Sequence, residues 1–292
     1  MNKEEVFKKL GTISNLPTLP AIMTKLTEAV RNPNSSAGQI AGIIKDDPSM
    51  MARILKVVNS AMYGFAEPVQ SLQQALAIMG MNAINNVALS TAVFTTYSGK
   101  DKADFDPESF WRHCINVGIA SNILYERTRA TLKVKLSKDA LHLSGLLHDI
   151  GKILLEQFFH AEFMEAVKRS RERSIPLWQA EVELFGVNHA EIGAWLGKRW
   201  NLSPEVIQVI RWHHEPENAD VEYLPFLRLC HVANHICNLE KIGESGDAAP
   251  SFVLGVWKRI GLSVSDIEGI VDQVNQEAKK SETLMAIMLG KK

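Results

Sequence analysis

Inside the apolar run Leu146-Leu147-His148-Asp149-Ile150-Gly151-Lys152, an imidazole and a carboxylate stand side by side. A buried Asp is costly unless it is paired, hydrogen-bonded or bound to a metal. Ser144 and Gly145 lie one turn before His148 and carry almost no side chain, which leaves room for an ion or a substrate oxygen. Gly151 keeps the next turn open, and Lys152 can reach an anionic group beside a metal. A helix-end pair satisfied by backbone or Arg contacts is the plain alternative. Other histidines weigh against it. His113 shares a helix face with Phe110 and Val117, so it points inward. His189 lies between Gly186 and Gly193, and His213-His214 closes a stretch carrying Val206, Ile207 and Ile210. Each alone reads as a core or helix-end residue. Together they offer nitrogen ligands, with Asp149 as the oxygen ligand, a mixture suited to Fe, Mn, Zn or Ni rather than Mg or Ca. His142, His160, His231 and His235 read as structural or surface residues.

The elements that must position these groups all read as helices. Asp47-Pro48 is a helix start, with Met51, Ile54, Leu55, Val58 and Met62 at helical spacing before Tyr63-Gly64. Leu19-Pro20 opens a segment with Ile22, Leu26 and Val30 on one face. Residues 71–80 and 81–97 form two further helices parted near Gly80. The polar stretch 98–107 joins two helical halves. A helix spans about 108–128, and another runs from Ser137 past His148 to Phe159. Asn188 and Glu191 form a capping box for Ala190 to Trp200. Ser203-Pro204 starts the helix ending at His213-His214, residues 224–239 are helical, and 240–250 is a loop. Ile267, Ile270, Val271 and Val274 mark an amphipathic helix in the tail. No strand alternation or repeat stands out, so the fold class is all-α.

With 292 residues, 46% of them hydrophobic, the chain has ample material for a core. A formal net charge of -1 from 32 basic and 33 acidic residues argues against a broad nucleic-acid or anionic-membrane surface. Cys114, Cys230 and Cys237 form no CxxC pair and read as reduced thiols. The first ten residues lack the apolar core of a secretory signal, and no run of about 18 apolar residues predicts a membrane helix. The expected setting is the cytoplasm.

The order His113, His148-Asp149-Ile150-Gly151-Lys152, His189, His213-His214-Glu215 resembles the HD superfamily, specifically its HD-GYP phosphodiesterase branch. The resemblance implies metal ligands at His113, His148, Asp149, His189 and His213 or His214. It gives Lys152 a phosphate-contacting or proton-handling role. Two features depart from that branch. No Gly-Tyr-Pro element follows Glu215, and the downstream acidic ligand is matched by Asn234, a weak or lost ligand. The N-terminal half carries Leu16-Pro17-Thr18-Leu19-Pro20, then Asn59-Ser60-Ala61-Met62-Tyr63-Gly64, then Gln74-Ala75-Leu76-Ala77-Ile78-Met79-Gly80. These are similar to the start of the HDOD domain, and the resemblance runs from about Ser14 to about Cys237.

That resemblance implies a multi-helix HD-like bundle with an N-terminal helical subdomain. The expected divisions are an N-terminal helix over 1–13 and an HDOD domain over 14–240, itself split into 14–100 and 101–240. A helical extension over 241–292 follows. The implied function is bacterial signal transduction or regulation without turnover, with a divalent metal at the retained HD-type site. A signalling protein or a small nucleotide-like ligand is the implied partner. The alternative is a metal-dependent phosphohydrolase or phosphodiesterase acting on a nucleotide or cyclic dinucleotide, with Lys152 and Asp149 catalytic. A helical scaffold with purely structural histidines is the third reading. The tail could pack on the domain or, through Met285, Ile287 and Met288, on a second copy.

Overall fold

The computed structural model describes residues 1–13, 20–60, 63–97 and 105–288, with side chains omitted at 94–97, 264 and 283–288. Leu16 to Leu19, Ala61 and Met62, the linker residues 98–104, and the side chains of Met285, Ile287 and Met288 lie outside the described residues.

The helices are α1 (Lys3–Thr12), α2 (Ala21–Arg31), α3 (Ala37–Lys45), α4 (Pro48–Val58), α5 (Leu72–Met79), α6 (Met81–Tyr97), α7 (Pro107–Leu132), α8 (Lys138–Leu147), α9 (Ile150–Phe158), α10 (His160–Arg173), α11 (Leu177–Phe185), α12 (His189–Arg199), α13 (Pro204–Trp212), α14 (Leu224–Leu239), α15 (Val256–Arg259) and α16 (Ile267–Met288). No strand forms among the described residues, so the chain is all-α. No single helix among them is long and apolar enough to cross a membrane. The chain divides into two compact units, one of Met1–Leu16 with Lys100–Glu277 and one of Pro17–Gly99 with Ala278–Lys292.

The smaller unit is built on α2 to α6 around Met23, Leu26, Ile40, Ile44, Ile54, Val58, Leu76 and Ile84. Asp47 caps α4 by accepting from the Met50 N–H at 2.9 Å, with Pro48 in the first turn. The helix stops at Val58, earlier than Tyr63-Gly64 suggests. Asn59 explains the stop. Its amide side chain donates to the Val69 carbonyl and accepts from the Val69 N–H, at 2.8 and 2.7 Å, which holds Val69 against the end of α4. Gly80 takes φ 85°, a left-handed value that separates α5 from α6.

The larger unit carries the histidines. Its α7 and α8 cross with no side chain between them at one point: a Cβ on Gly145 would lie 2.5 Å from the Gly118 Cα. Likewise a Cβ on Gly151 would overlap the His189 carbonyl oxygen. The small residues around His148 are therefore helix-contact residues, not space for an ion as the sequence suggests. Ser144 Oγ simply donates to the Ala140 carbonyl at 2.8 Å.

Residues 137–159 do not form one helix. The chain breaks at His148-Asp149, and Asp149 leaves helical geometry at φ -100°, ψ 9°. The capping box at α12 is half formed: Asn188 accepts from the Glu191 N–H at 3.0 Å. The Glu191 side chain instead pairs with Lys3 and Arg211, each at 2.7 Å. The first of these pairs ties α1 to α12, and Phe7 against Trp195, 5.9 Å apart, adds to it.

Candidate metal centre

His148, His189 and His213 are each set by the end of an element, while His113 lies within α7. His148 caps α8, its Nδ1–H donating to the Gly145 carbonyl at 2.6 Å. His213 caps α13 the same way, donating from Nδ1 to the Ile210 carbonyl at 2.9 Å. A carbonyl can only accept, so both rings carry a proton on Nδ1 and turn Nε2 toward the cluster. His189 begins α12, and both its backbone N–H and its Nδ1 meet Glu181 Oε2, at 2.8 and 2.6 Å. The close approach of Gly151 to His189 places α9, and with it Asp149, against the start of α12.

These side chains converge. The Asp149 Oδ1 lies 3.1 Å from His189 Nε2 and 3.5 Å from His213 Nε2, while Oδ2 lies 3.2 Å from His148 Nε2. His214 Nε2 faces His189 Nε2 at 2.8 Å. Two groups of potential ligand atoms result, Asp149 with His189, His213 and His214, and Asp149 with His113 and His148. In each group the donor atoms lie within 4.8 Å of one another.

The residues fit a cation. Despite these short distances, His148 Nε2, His213 Nε2, Asp149 Oδ1 and His113 Nδ1 make no well-aligned hydrogen bond. Buried polar atoms are normally satisfied, and four orphans in one cluster call for a missing partner. Facing imidazole nitrogens at 2.8 Å also need a proton or a metal ion between their lone pairs. The fixed charges agree: Asp149, Glu181 and Lys152 are all 0 to 1% exposed, two carboxylates against one ammonium.

Electrostatics follow from burial and these neighbours. Burial drives His113 and His213 down to about 3 and His214 well below its usual range, which favours the neutral form of these rings. Burial also opposes the charged form of His189, but Glu181 and Asp149 override it and raise that pKa. Burial works against the Asp149 carboxylate, yet His148 and Lys152 hold it well below the usual carboxylate range. Lys152 is raised, burial being outweighed by Asp149 and Asp247. Its Nζ donates to Asp149 Oδ2 at 2.7 Å and to the Ser245 carbonyl at 2.9 Å. Burial raises the thiols Cys114, Cys230 and Cys237, which keeps them protonated.

The structure thus gathers His113, His148, Asp149, His189, His213 and His214, with Lys152 on Asp149. Asn234 sits beside His113, 3.0 Å from its Nε2. Glu215 points to solvent. Sequence reasoning missed Glu181. Its signal was available: it shares an α11 face with Leu177, Ala180 and Phe185, all fully buried, so a carboxylate there needs a buried partner. His231, read as structural, does hold structure: its Nδ1–H donates to the His213 carbonyl at 2.7 Å, and its Nε2 accepts from the Val253 N–H at 3.0 Å.

The comparisons with known proteins agree with this architecture. An uncharacterized protein of Treponema pallidum (strain Nichols) is 28% identical over 222 residues, 76% of this chain, and the match spans only 42% of that relative's length. An HDOD domain protein of unknown function from Geobacter sulfurreducens superposes with TM-score 0.69 at 23% identity, covering 97% of this chain and 98% of that one. A candidate phosphohydrolase of Shewanella amazonensis SB2B superposes with TM-score 0.73 at 22% identity, covering 97% of each chain. A candidate signal transduction protein of Marinobacter aquaeolei VT8 gives 0.72 at 22% identity, covering 98% of this chain and 65% of the other. At these identities the structures speak for the fold. The HDOD domain model matches residues 16–216, more than half of the sequence, and the chain belongs to the HDOD domain family.

Proposed function

We propose that this chain is a signal-transduction module that holds a divalent transition metal in a closed His–Asp centre and does not turn over a phosphodiester. The observation that carries this reading is the closure of the donor set. His113, His148, Asp149, His189 and His213 have no exposed surface, Lys152 has 1% and His214 has 7%. Hydrolysis would require an ion, a water and a phosphoryl oxygen to share that space. Lys152, the group suited to a phosphate, is already committed to Asp149 and the Ser245 carbonyl. An ion held there would supply Lewis acidity, and Fe, Mn, Zn or Ni fit the imidazole–carboxylate donors. The partner is a signalling protein or a small nucleotide-like ligand, met in the cytoplasm. The absence of a net positive charge supports no nucleic-acid or membrane surface.

One observation favours a second reading, a metal-dependent phosphohydrolase acting on a nucleotide or cyclic dinucleotide. Asp149 turns one oxygen toward each ligand group, as a bridging carboxylate between two ions would. Protein purified without an affinity tag or chelator, analysed for metals and then assayed on cyclic di-GMP and a generic phosphodiester with Mn or Fe, separates the two. Metal without turnover is the expected result. Turnover that Asp149→Asn abolishes, in a variant whose circular dichroism shows it still folded, overturns the first reading. Protein that holds no metal under any of these conditions overturns both.

A further inference from the structure

We propose that the centre takes a single ion, held by Asp149, His189, His213 and His214, and that Glu181 is the positioning residue that makes this half the stronger one. The proposal rests on the metal-binding reading above and concerns which half of the cluster is used.

The two halves are unequal. Asp149 Oδ1 faces His189 and His213 and has no well-aligned hydrogen bond, so its lone pairs are available on that side. Oδ2, on the side of His148, already accepts from Lys152 Nζ at 2.7 Å. An ion near Oδ2 would compete with an ammonium for the same oxygen and meet its repulsion. An ion near Oδ1 would do neither.

The second asymmetry lies at His113. Asn238 Nδ2 donates to the Asn234 backbone carbonyl at 3.0 Å. That carbonyl only accepts, so the Asn238 amide has one orientation. The same Nδ2 lies 2.8 Å from the Asn234 side chain, which must therefore present Oδ1. Oδ1 in turn is 3.0 Å from His113 Nε2, so that nitrogen carries the proton. Ser245 completes the chain by donating from Oγ to Asn238 Oδ1 at 2.9 Å. Asn234 is thus a strut between His113 and the loop after α14, and it adds no charge to the half with His113 and His148.

On the other half, Glu181 lies directly behind His189. It is fully buried and takes both the backbone N–H and the Nδ1–H on one oxygen. This fixes the tautomer with Nε2 toward Asp149 and His214. It also places a second negative charge one ring away from the ion. A carboxylate behind a ligating imidazole raises ligand basicity, and losing such a partner typically costs 10–100-fold in metal affinity. Glu181 therefore supplies, through His189, charge that Asn234 does not supply through coordination.

The test uses the full chain, stripped of metal and titrated anaerobically with Co(II). Visible absorption and elemental analysis after gel filtration report binding. Wild type is expected to take one equivalent per chain. Glu181→Gln, which keeps the shape and an acceptor oxygen, is expected to bind about 10–100-fold more weakly. It is also expected to show an altered Co(II) spectrum, in a variant whose helical circular-dichroism signal matches that of wild type. Two equivalents of similar affinity in wild type would overturn the proposal whether or not the variant folds. So would a Glu181→Gln titration that overlays wild type. Wild type that takes up no Co(II) defeats the underlying metal reading instead.

Discussion

Lys152 is the residue whose environment is most demanding. A fully buried ammonium persists because Asp149 and the Ser245 carbonyl receive it. Breaking one side of such a pair strands the other charge. Lys152→Met should therefore destabilise metal-free protein by about 3–5 kcal/mol in urea unfolding. The loss should shrink when Co(II) is present, because the ion then compensates Asp149; equal losses with and without metal would count against that assignment. Two histidines outside the donor set give a pH signature. Burial lowers His142 and His231 to about 4. In the unfolded chain they protonate near the ordinary value of about 6.5. Between these values the unfolded state binds more protons, so stability is full above pH 6.5 and falls as pH drops toward 4. His189, raised in the folded state, acts in the opposite direction. A flat or rising stability from pH 6.5 down to 4 would contradict the burial of these rings. At this scale the sequence was informative about residue types: His148, Asp149, His189 and His213 stood out as polar groups among apolar neighbours. It was silent on which nitrogen each ring offers, because that depends on carbonyls and a carboxylate supplied by folding.

At the scale of elements, the cluster exists because helices meet without side chains between them. Gly151 on α9 abuts the His189 carbonyl at the start of α12, and Gly118 on α7 abuts Gly145 on α8. Gly151→Ala should push α9 from α12 and cost about 1–3 kcal/mol as an overpacking change. It should also weaken Co(II) binding, since Asp149 and His189 part company. Gly42→Ala provides the contrast. Gly42 lies inside α3 with nothing within 4 Å of an added Cβ, so alanine should stabilise by about 0.5–1 kcal/mol. Thermal unfolding of the two variants checks both signs, and a tolerated Gly151→Ala would show that the helix contact is looser than described. Helix starts such as Asp47-Pro48 were legible because capping is local. The break at His148-Asp149 was not. Apolar spacing continues smoothly from α8 into α9, and the break comes from the imidazole taking the Gly145 carbonyl and from the demand to turn Asp149 inward.

For the whole molecule, ligand linkage gives the broadest test. Anything that binds only the folded state stabilises it, by about 2.7 kcal/mol at a free concentration of 100 Kd. Mn or Co(II) should accordingly raise the melting temperature of chelator-stripped protein, and Asp149→Asn should erase the rise. An identical rise in that variant would mean that the ion binds elsewhere. The sequence by itself determined the all-helical class, because helical periodicity, caps and turn residues are local signals, and its motifs carried the resemblance to the family. The segment Asn59 to Gly64 carried one of them, since Asn59 anchors the loop through Val69. It also determined which residue types were available for a metal. Only the tertiary structure decided what they do together. It showed that Gly145 and Gly151 serve helix contacts, that Glu181 stands behind His189, and that Asn234 holds His113 through its side chain. It also showed that Lys152 is committed within the core. Each of these depends on contacts between residues distant in the chain, and no pattern along a single helix encodes what faces it from the next.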